Sequence, residues 1–315
     1  TDMKLIFALA LVAIVLCNDV QQWTNFTQKY NKQYVSATEE SSRFAIFREN
    51  LRSARLMNRL DKSAVYGDSP FMDMSAEEFR ATYLRPMTPT RNGEKFVQAN
   101  VGSPAAWDWD DQGKVHAPKD QAQCGGCWAF ATAGAMESNW ALRGNALPSL
   151  SEQQMIDCDA MDSGCEGGNL DYAAQYVVDN GLMAENDYKY TAKDGQCKYN
   201  ANKVVFNALG FVDVANDEAA MANALYTNGP IAIALNATPL QTYRSGVLNP
   251  RFCSPYMLDH GVLIVGYGND TKSGLDFWRV KNSWGTSWGE DGFFRIARGT
   301  NACGVAEWPV QPSMN

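Results

Sequence analysis

The sequence predicts an α+β fold, a helical half followed by a β half, with a further helical segment in front. Three observations carry this. Before residue 181 the chain shows helix signals: a run from Cys127 to Arg143, a short helix opened by Ser151-Glu-Gln-Gln154, and Asp171 to Asn180 stopped by Gly181. After it, apolar β-type runs dominate, at Pro230 to Leu235, Val262 to Tyr267, Phe277 to Val280 and Phe293 to Ile296, with one helix-like stretch from Asp217 to Tyr226 that ends at Asn228-Gly-Pro230. No internal repeat and no low-complexity linker divides the 315 residues.

In chain order, Thr1 and Asp2 precede Met3, and residues 3–18 read as a secretory signal peptide: one Lys, then an apolar run too short to span a bilayer. Cleavage is expected between Cys17 and Asp19. No later run is long and apolar enough for a membrane helix, so the processed chain is expected to be soluble. The triplets at Asn25, Asn236 and Asn269 are glycosylation sequons, usable only in the secretory route. The destination expected is an acidic lysosome- or vacuole-like compartment or the cell exterior.

Residues 19–102 differ in character. Glu39, Arg43, Ile46, Phe47, Asn50 and Asn58 recur at helical spacing, with apolar residues along one stripe. This segment holds 12 basic against 10 acidic residues, whereas residues 103–315 hold 14 against 24. A mildly basic segment over an acidic unit is expected to be held partly by charge and loosened by acid. The net charge of −8 and pI near 4.9 give no reason to expect a nucleic-acid partner.

Chemistry concentrates at Gln121-Ala-Gln-Cys-Gly-Gly-Cys127-Trp-Ala-Phe130. Cys127 opens a helix, where unpaired amides and the positive end of the macrodipole favour a thiolate. Gln121 can fold back to donate to a developing oxyanion, with the Cys127 amide as second donor. A nucleophile needs a base, and the chain has only two histidines. His116 lies in a polar loop, expected to pack against the β half. His260 opens the strand-like Gly261-Val-Leu-Ile-Val-Gly-Tyr-Gly268 and is the better base, because a strand holds its ring in place. Asn282 is placed to orient that imidazole, with Trp284 and Trp288 covering the bond. Read alone, Cys124-Gly-Gly-Cys127 also fits a redox pair or half a zinc site, but zinc lacks a second such motif and no metal is expected.

These residues together resemble the papain family of cysteine proteases, closest to its cathepsin L-like branch. The motifs are the Cys127 segment, Asp259-His260-Gly261, and Lys281-Asn282-Ser283-Trp284-Gly285; the separations of 133 and 155 residues are close to the roughly 130–150 of such enzymes. Gly126 departs from the family's Ser or Ala. The helical pattern before residue 60 resembles the ERFNIN signature of cathepsin L-like propeptides, with Ala54 in an Ile position, and Gly67-Asp-Ser-Pro-Phe71-Met-Asp73 resembles their GNFD motif, with Ser69 for Asn.

The resemblance implies a papain-like fold: a helical left lobe, a β-barrel-like right lobe and a cleft between them, residues 103–315, behind an inhibitory propeptide, residues 19–102. It implies a cysteine endopeptidase without cofactor, acting on proteins and peptides, with its own propeptide as intramolecular inhibitor, cystatin-type inhibitors as further partners, and a monomeric state. Of eight cysteines, six remain beside Cys17 and Cys127, and the resemblance pairs Cys124 with Cys165, Cys158 with Cys197, and Cys253 with Cys303. It places Gly167, Gly168, Asn169, Leu170, Leu258, Asp259, Trp284 and Trp308 in the substrate cleft, with Ala232 also near the main pocket. Trp308 there favours an aliphatic residue over Arg at P2, the second residue before the scissile bond. The alternative reading is a catalytically silent homologue that binds or scaffolds. A carboxydipeptidase of the cathepsin B type would need paired histidines that this chain lacks.

Overall fold

The computed structural model describes residues 18–91, 93–96 and 102–313. The expected signal peptide falls outside this range except for Asn18, which lies in helix α1, described over residues 18–29. Helix α2 (Ala37–Leu60) starts where the Ser36 side chain accepts from the Glu39 amide, and α3 (Ala76–Tyr83) at a full capping box of Ser75 and Glu78. The recurring residues of α2 tie it to the following loop: Asn50 Nδ2 donates to the Met72 and Met74 carbonyls, Asn58 bonds both backbone groups of Tyr66, and Arg43 reaches Glu78. Trp23, Phe26, Phe47, Leu51 and Met72 form a small core there.

The helical lobe is built on α4 (Cys127–Leu142), buried along nearly its whole length. Helix α5 (Glu152–Cys158) begins at Ser151, whose side chain accepts from the Gln154 amide. The reciprocal half of the expected capping box is missing, because the Gln154 amide group is drawn to Gly181, Tyr176 and Met183. Helix α6 (Leu170–Asn180) ends at Gly181, φ +71°, as expected.

The second lobe is a ten-stranded sheet. Its strands are β1 (Ala64–Tyr66), β2 (Glu94–Phe96), β3 (Trp107–Asp108), β6 (Phe211–Val214), β7 (Ile231–Leu235), β8 (Tyr243–Leu248), β9 (His260–Asp270), β10 (Leu275–Lys281), β11 (Phe293–Ala297) and β12 (Pro309–Pro312). The pair β4 (Leu182–Met183) and β5 (Val204–Phe206) forms a separate ribbon, and α7 (Glu218–Asn228) packs on the sheet. The order is β1-β8-β11-β10-β9-β7-β12-β6-β2, with β3 on β9. The sheet is open, so the β lobe of the expected papain-like fold is barrel-like only loosely, without closure. Both outer positions are taken by the N-terminal segment: β1 runs antiparallel to β8, and β2 parallel to β6. An exposed edge invites pairing, and here the chain supplies its own.

One apolar cluster runs through both lobes, and α4 lies against β9 and β7 within it. Three disulfides pair Cys124–Cys165, Cys158–Cys197 and Cys253–Cys303, as the resemblance implied; Cys127 is free and buried. Asn25 and Asn269 are exposed. Asn236 is only 6% exposed and its Nδ2 donates to the Ser254 carbonyl. That nitrogen is therefore not presented for a glycan in the folded chain. No described helix is long and apolar enough to cross a membrane.

Candidate active site

Cys127 is the first residue of α4, behind Gly126. The two glycines before it differ in what packing demands. A Cβ on Gly125 would lie 2.4 Å from the Cys165 carbonyl oxygen, so no side chain fits there, whereas one on Gly126 would crowd only the movable end of Ile156, Cδ1 at 2.9 Å, and this chain's departure to glycine there is not forced by packing. The Gly261 amide donates to Cys127 Sγ at 3.3 Å, which puts the sulfur one residue from His260. The two come from different lobes, α4 and the first residue of β9.

His260 is fully buried. Its Nε2 meets Asn282 Oδ1 at 2.8 Å, while Nδ1 has no hydrogen-bond partner. The Asn282 oxygen can only accept, so Nε2 carries the proton and Nδ1 holds the free lone pair. Asn282 Oδ1 also accepts from the Ser283 amide, at 2.8 Å. Trp284 stacks on the imidazole at 4.6 Å and 24°, and Trp288 meets Trp284 edge-on at 4.9 Å. Of the two expected indoles, Trp284 covers the imidazole and Trp288 backs Trp284.

Gln121 is buried. Its Nε2 donates to the Cys124 carbonyl at 2.9 Å, leaving its second N–H, and its Oε1 accepts from Ser283 Oγ at 2.6 Å. Ser283 fixes this side-chain amide, and Tyr190, whose hydroxyl donates to the Gln121 main-chain carbonyl at 2.7 Å, fixes the backbone that carries it; sequence reasoning did not find them. Ser283 sat in plain view beside Asn282, but Tyr190 carries no local signal. Equally unforeseen is the group behind the site, where Lys119, Glu137, Glu152 and Lys281 line a cavity of about 20 Å³. Lys119 Nζ bonds Glu152 at 2.7 Å, and burial lowers the Lys281 pKa.

The cleft is occupied by the chain itself. The Arg85 amide donates to the Asp259 carbonyl at 2.8 Å and the Met87 amide to the Leu258 carbonyl at 2.9 Å. The Arg85 stem covers Gly167, φ +119°. Gly168 cannot carry a side chain, since a Cβ would lie 2.5 Å from the Trp128 ring. Asn169 caps α6 and also donates to the Thr88 carbonyl. Met87 is buried and lies beside Leu258. Trp308 donates Nε1 to Asp171 at 2.9 Å, and the neighbouring Glu307 is engaged by Asn301. Phe71 and Phe79 present their edges to Trp284, both at 5.4 Å. Hydrogen bonds and ring contacts thus link Cys127, His260, Asn282, Gln121 and Trp284 through Gly261 and Ser283, while Leu258, Asp259, Gly167 and Asn169 lie along residues 85–88. His116 lies apart, bonded to the Pro148 carbonyl of the helical lobe rather than packed on the β half; it is Pro118 and Lys119 of that loop that meet the β half.

This cover reverses the expected ionisation. Burial pushes the Cys127 thiol up to about 11, against the pull of the Gly261 and Trp128 amides. Burial also brings His260 down to about 4, against its bond to Asn282. The helix start favours a thiolate, but loss of water outweighs it while the cleft is filled.

Charge contributes less across the cover than expected. Two ion pairs join the N-terminal segment to the rest, Arg85–Glu166 at 3.6 Å and Asp68–Arg244 at 4.0 Å. The second has the opposite polarity to the predicted one. The closer pairs lie within the segment, at Lys32–Asp73, Arg43–Glu78 and Arg55–Asp19.

Comparison with known proteins bears on the whole chain. Residues 103–313 match the model of the papain family of cysteine proteases, and residues 23–79 that of the cathepsin propeptide inhibitor domain. The chain is 40% identical over 309 residues to cysteine proteinase 15A of Pisum sativum, covering 92% of this chain and 85% of that protein. It is 39% identical over 289 residues to cathepsin F of Mus musculus, covering 89% and 62%. Among solved structures, the digestive procathepsin L2 proteinase of the Tenebrio molitor larval midgut superposes with a TM-score of 0.88 at 37% identity, over 94% of this chain and 99% of that one. A motif-bearing thiol at a helix start, a buried His–Asn pair beside it, and agreement over both segments together establish that this chain belongs to the papain family of cysteine proteases, a cysteine-type peptidase of the cathepsin L-like kind with its propeptide inhibitor domain in front.

Proposed function

We propose that the protein is a cysteine endopeptidase made as an autoinhibited zymogen, in which Cys127 is the nucleophile, His260 the base and acid, Asn282 the orienter and Gln121 an oxyanion donor. The observation that supports it most is the unpartnered His260 Nδ1 lone pair beside a free thiol, with Nε2 held by Asn282. Once the propeptide leaves, water re-enters the cleft, and the proton passes from Sγ to Nδ1 to give a thiolate and an imidazolium. The thiolate attacks the substrate carbonyl carbon; the oxyanion takes hydrogen bonds from the Cys127 amide and the second Gln121 N–H. The imidazolium returns its proton to the leaving amine as the C–N bond breaks, leaving a thioester. His260 then takes a proton from water, whose oxygen attacks the thioester, and the acid departs with the thiol restored.

Met87, a buried apolar side chain whose amide bonds the Leu258 carbonyl in the filled cleft, supports an aliphatic preference at P2. A site of this kind separates Leu from Arg by about 1–3 kcal/mol. Processing is placed near residues 98–103, with the signal at residues 3–18 and a secretory route ending in an acidic compartment or outside the cell. Cystatin-type inhibitors and a monomeric state belong to the same reading.

The test is acidification to pH about 4–5, followed by N-terminal sequencing, assay on fluorogenic dipeptides and mass spectrometry after an epoxide thiol inhibitor. Labelling confined to Cys127 with loss of activity is expected. An unlabelled, inactive processed chain would mean a silent homologue, and Arg preferred over Leu at P2 would reject the pocket assignment.

A further inference from the structure

Beyond the cleft the propeptide continues as an arm along the β lobe. Thr90 Oγ1 donates to Asp171 Oδ2 at 2.6 Å, and Arg91 donates to the Glu307 carbonyl at 2.6 Å and to Asn216. Glu94–Phe96 then pair in parallel with β6, Lys95 opposite Asp213. The contact is close: a Cβ on Gly93 would lie 2.9 Å from the Asp213 amide nitrogen. Under the arm, Asp213 is 2% exposed and neither of its carboxylate oxygens makes a hydrogen bond of good geometry. Burial and the neighbouring Asp171 push its pKa up, while Arg91, the Gly93 amide and Lys95 pull it down. A buried carboxylate without its own partners is costly, and what offsets it here is the basic arm. Processing removes that arm. It leaves a free strand edge beside an uncompensated carboxylate, continuous with the cleft on the side of the P2 pocket.

We infer that in the processed enzyme the β6 edge and Asp213 form a remote substrate site for an extended, basic stretch of polypeptide upstream of the scissile bond. The inference rests on the proteolytic reading above, which places Leu258 and Trp308 at P2. Edge pairing supplies sequence-independent backbone bonds, and Asp213 selects Lys or Arg. The arm takes seven residues from Met87, beside Leu258, to Glu94 on β6, a reach of at most about 25 Å when extended. Substrates long enough to use the site therefore carry several residues beyond P2, and short peptides miss it.

The test uses processed enzyme and three substrates sharing one cleavage core: the bare core, the core with a ten-residue upstream extension bearing Lys and Arg, and the same extension bearing Glu. The basic extension is expected to raise kcat/KM by about 5–20-fold over the acidic one through KM, with the gain shrinking as salt rises. The ratio between extensions is expected to collapse in Asp213→Asn, whose fold is checked by thermal melting. Because a substitution on a core strand can unfold the lobe, a second measurement uses unaltered enzyme blocked at Cys127. Peptides carrying each extension alone are titrated by calorimetry, and only the basic one is expected to bind. Equal kcat/KM for both extensions overturns the inference, as does binding of the propeptide arm peptide but of neither extension. Turnover of the bare core, present in either case, keeps the proteolytic reading separate from this one.

Discussion

The helical propeptide buries five residues in a core of its own and lends others, among them Phe71, Phe79 and Met87, to the apolar cluster that runs through both lobes of the peptidase unit, which adds three disulfides. The propeptide has no disulfide among its described residues and relies on carboxylates held inside it. Asp19 takes Arg48 and Arg55, Asp73 takes Lys32 and Tyr34, and Asp61 takes Tyr66 while reaching across to the Asn249 amide of the peptidase unit. Its two strands are docked on the edges of a sheet that the other unit owns. One chain thus joins a unit closed by three disulfides to one held by ion pairs and by docking on its neighbour, and inhibition resides in the second.

The sharpest way to break this contrast is Asp73→Asn. Removing one partner of a nearly buried ion pair costs about 3 kcal/mol or more, a large share of what a small helical unit has. The variant is expected to process at neutral pH, followed by gel and by dipeptide assay, while the processed enzyme melts as before. In the other unit, Cys158→Ser with Cys197→Ser is expected to lower stability by about 2–5 kcal/mol. Here the processed form is the one that suffers, read by denaturant melts.

A smaller effect is the pH course of release in a Cys127→Ala zymogen, which cannot cut itself and reports docking through susceptibility to added protease. Asp61 is held below the usual range: burial opposes its charge, but Ser63, the Asn249 amide and Tyr66 outweigh it. Glu78 is lowered too, by the Ser75 amide and Arg43. Depressed carboxyl pKa values give stability that is present above the unfolded value and lost as pH falls through the folded one, so release is expected to steepen below pH about 4.5. Covered His260 adds an earlier stage. With its pKa lowered to about 4, the closed form takes up fewer protons than the open form between that value and the ordinary one near 6.5, so acid favours opening across this window. Zymogen equally protected at pH 7 and pH 4 would contradict both stages.

The smallest change expected is in the loop leading to the cleft. Burial, then the neighbouring Asp159, push Asp162 up to about 8, and its Oδ1 accepts the Asn169 amide at 2.8 Å. A raised carboxyl pKa costs stability increasingly as pH climbs from 3.8 toward that value. Asp162→Asn keeps the acceptor and removes the charge, so the processed enzyme is expected to gain about 2–4 °C in melting temperature at pH 7–8, and little at pH 4.

Local order determined what the sequence could announce. Cys127 at a helix start, His260 at the head of an apolar strand and Asn282 before two tryptophans are each encoded within a few residues, and so were the helices, the central strands and the cap at Ser151. The disulfide pairing was legible through family resemblance, because spacing alone left fifteen arrangements open. What only the tertiary structure decided involves groups far apart in the chain: Tyr190 beneath Gln121, the Lys119–Glu152 group behind the site, the burial of Asn236, and the docking of β1 and β2 on opposite edges of one sheet. The ionisation of Cys127 was decided there too. A helix start favours a thiolate whatever the rest of the chain does, but whether water reaches the sulfur depends on Arg85 and Met87, some forty residues away, lying in the cleft; desolvation is a property of the packed whole.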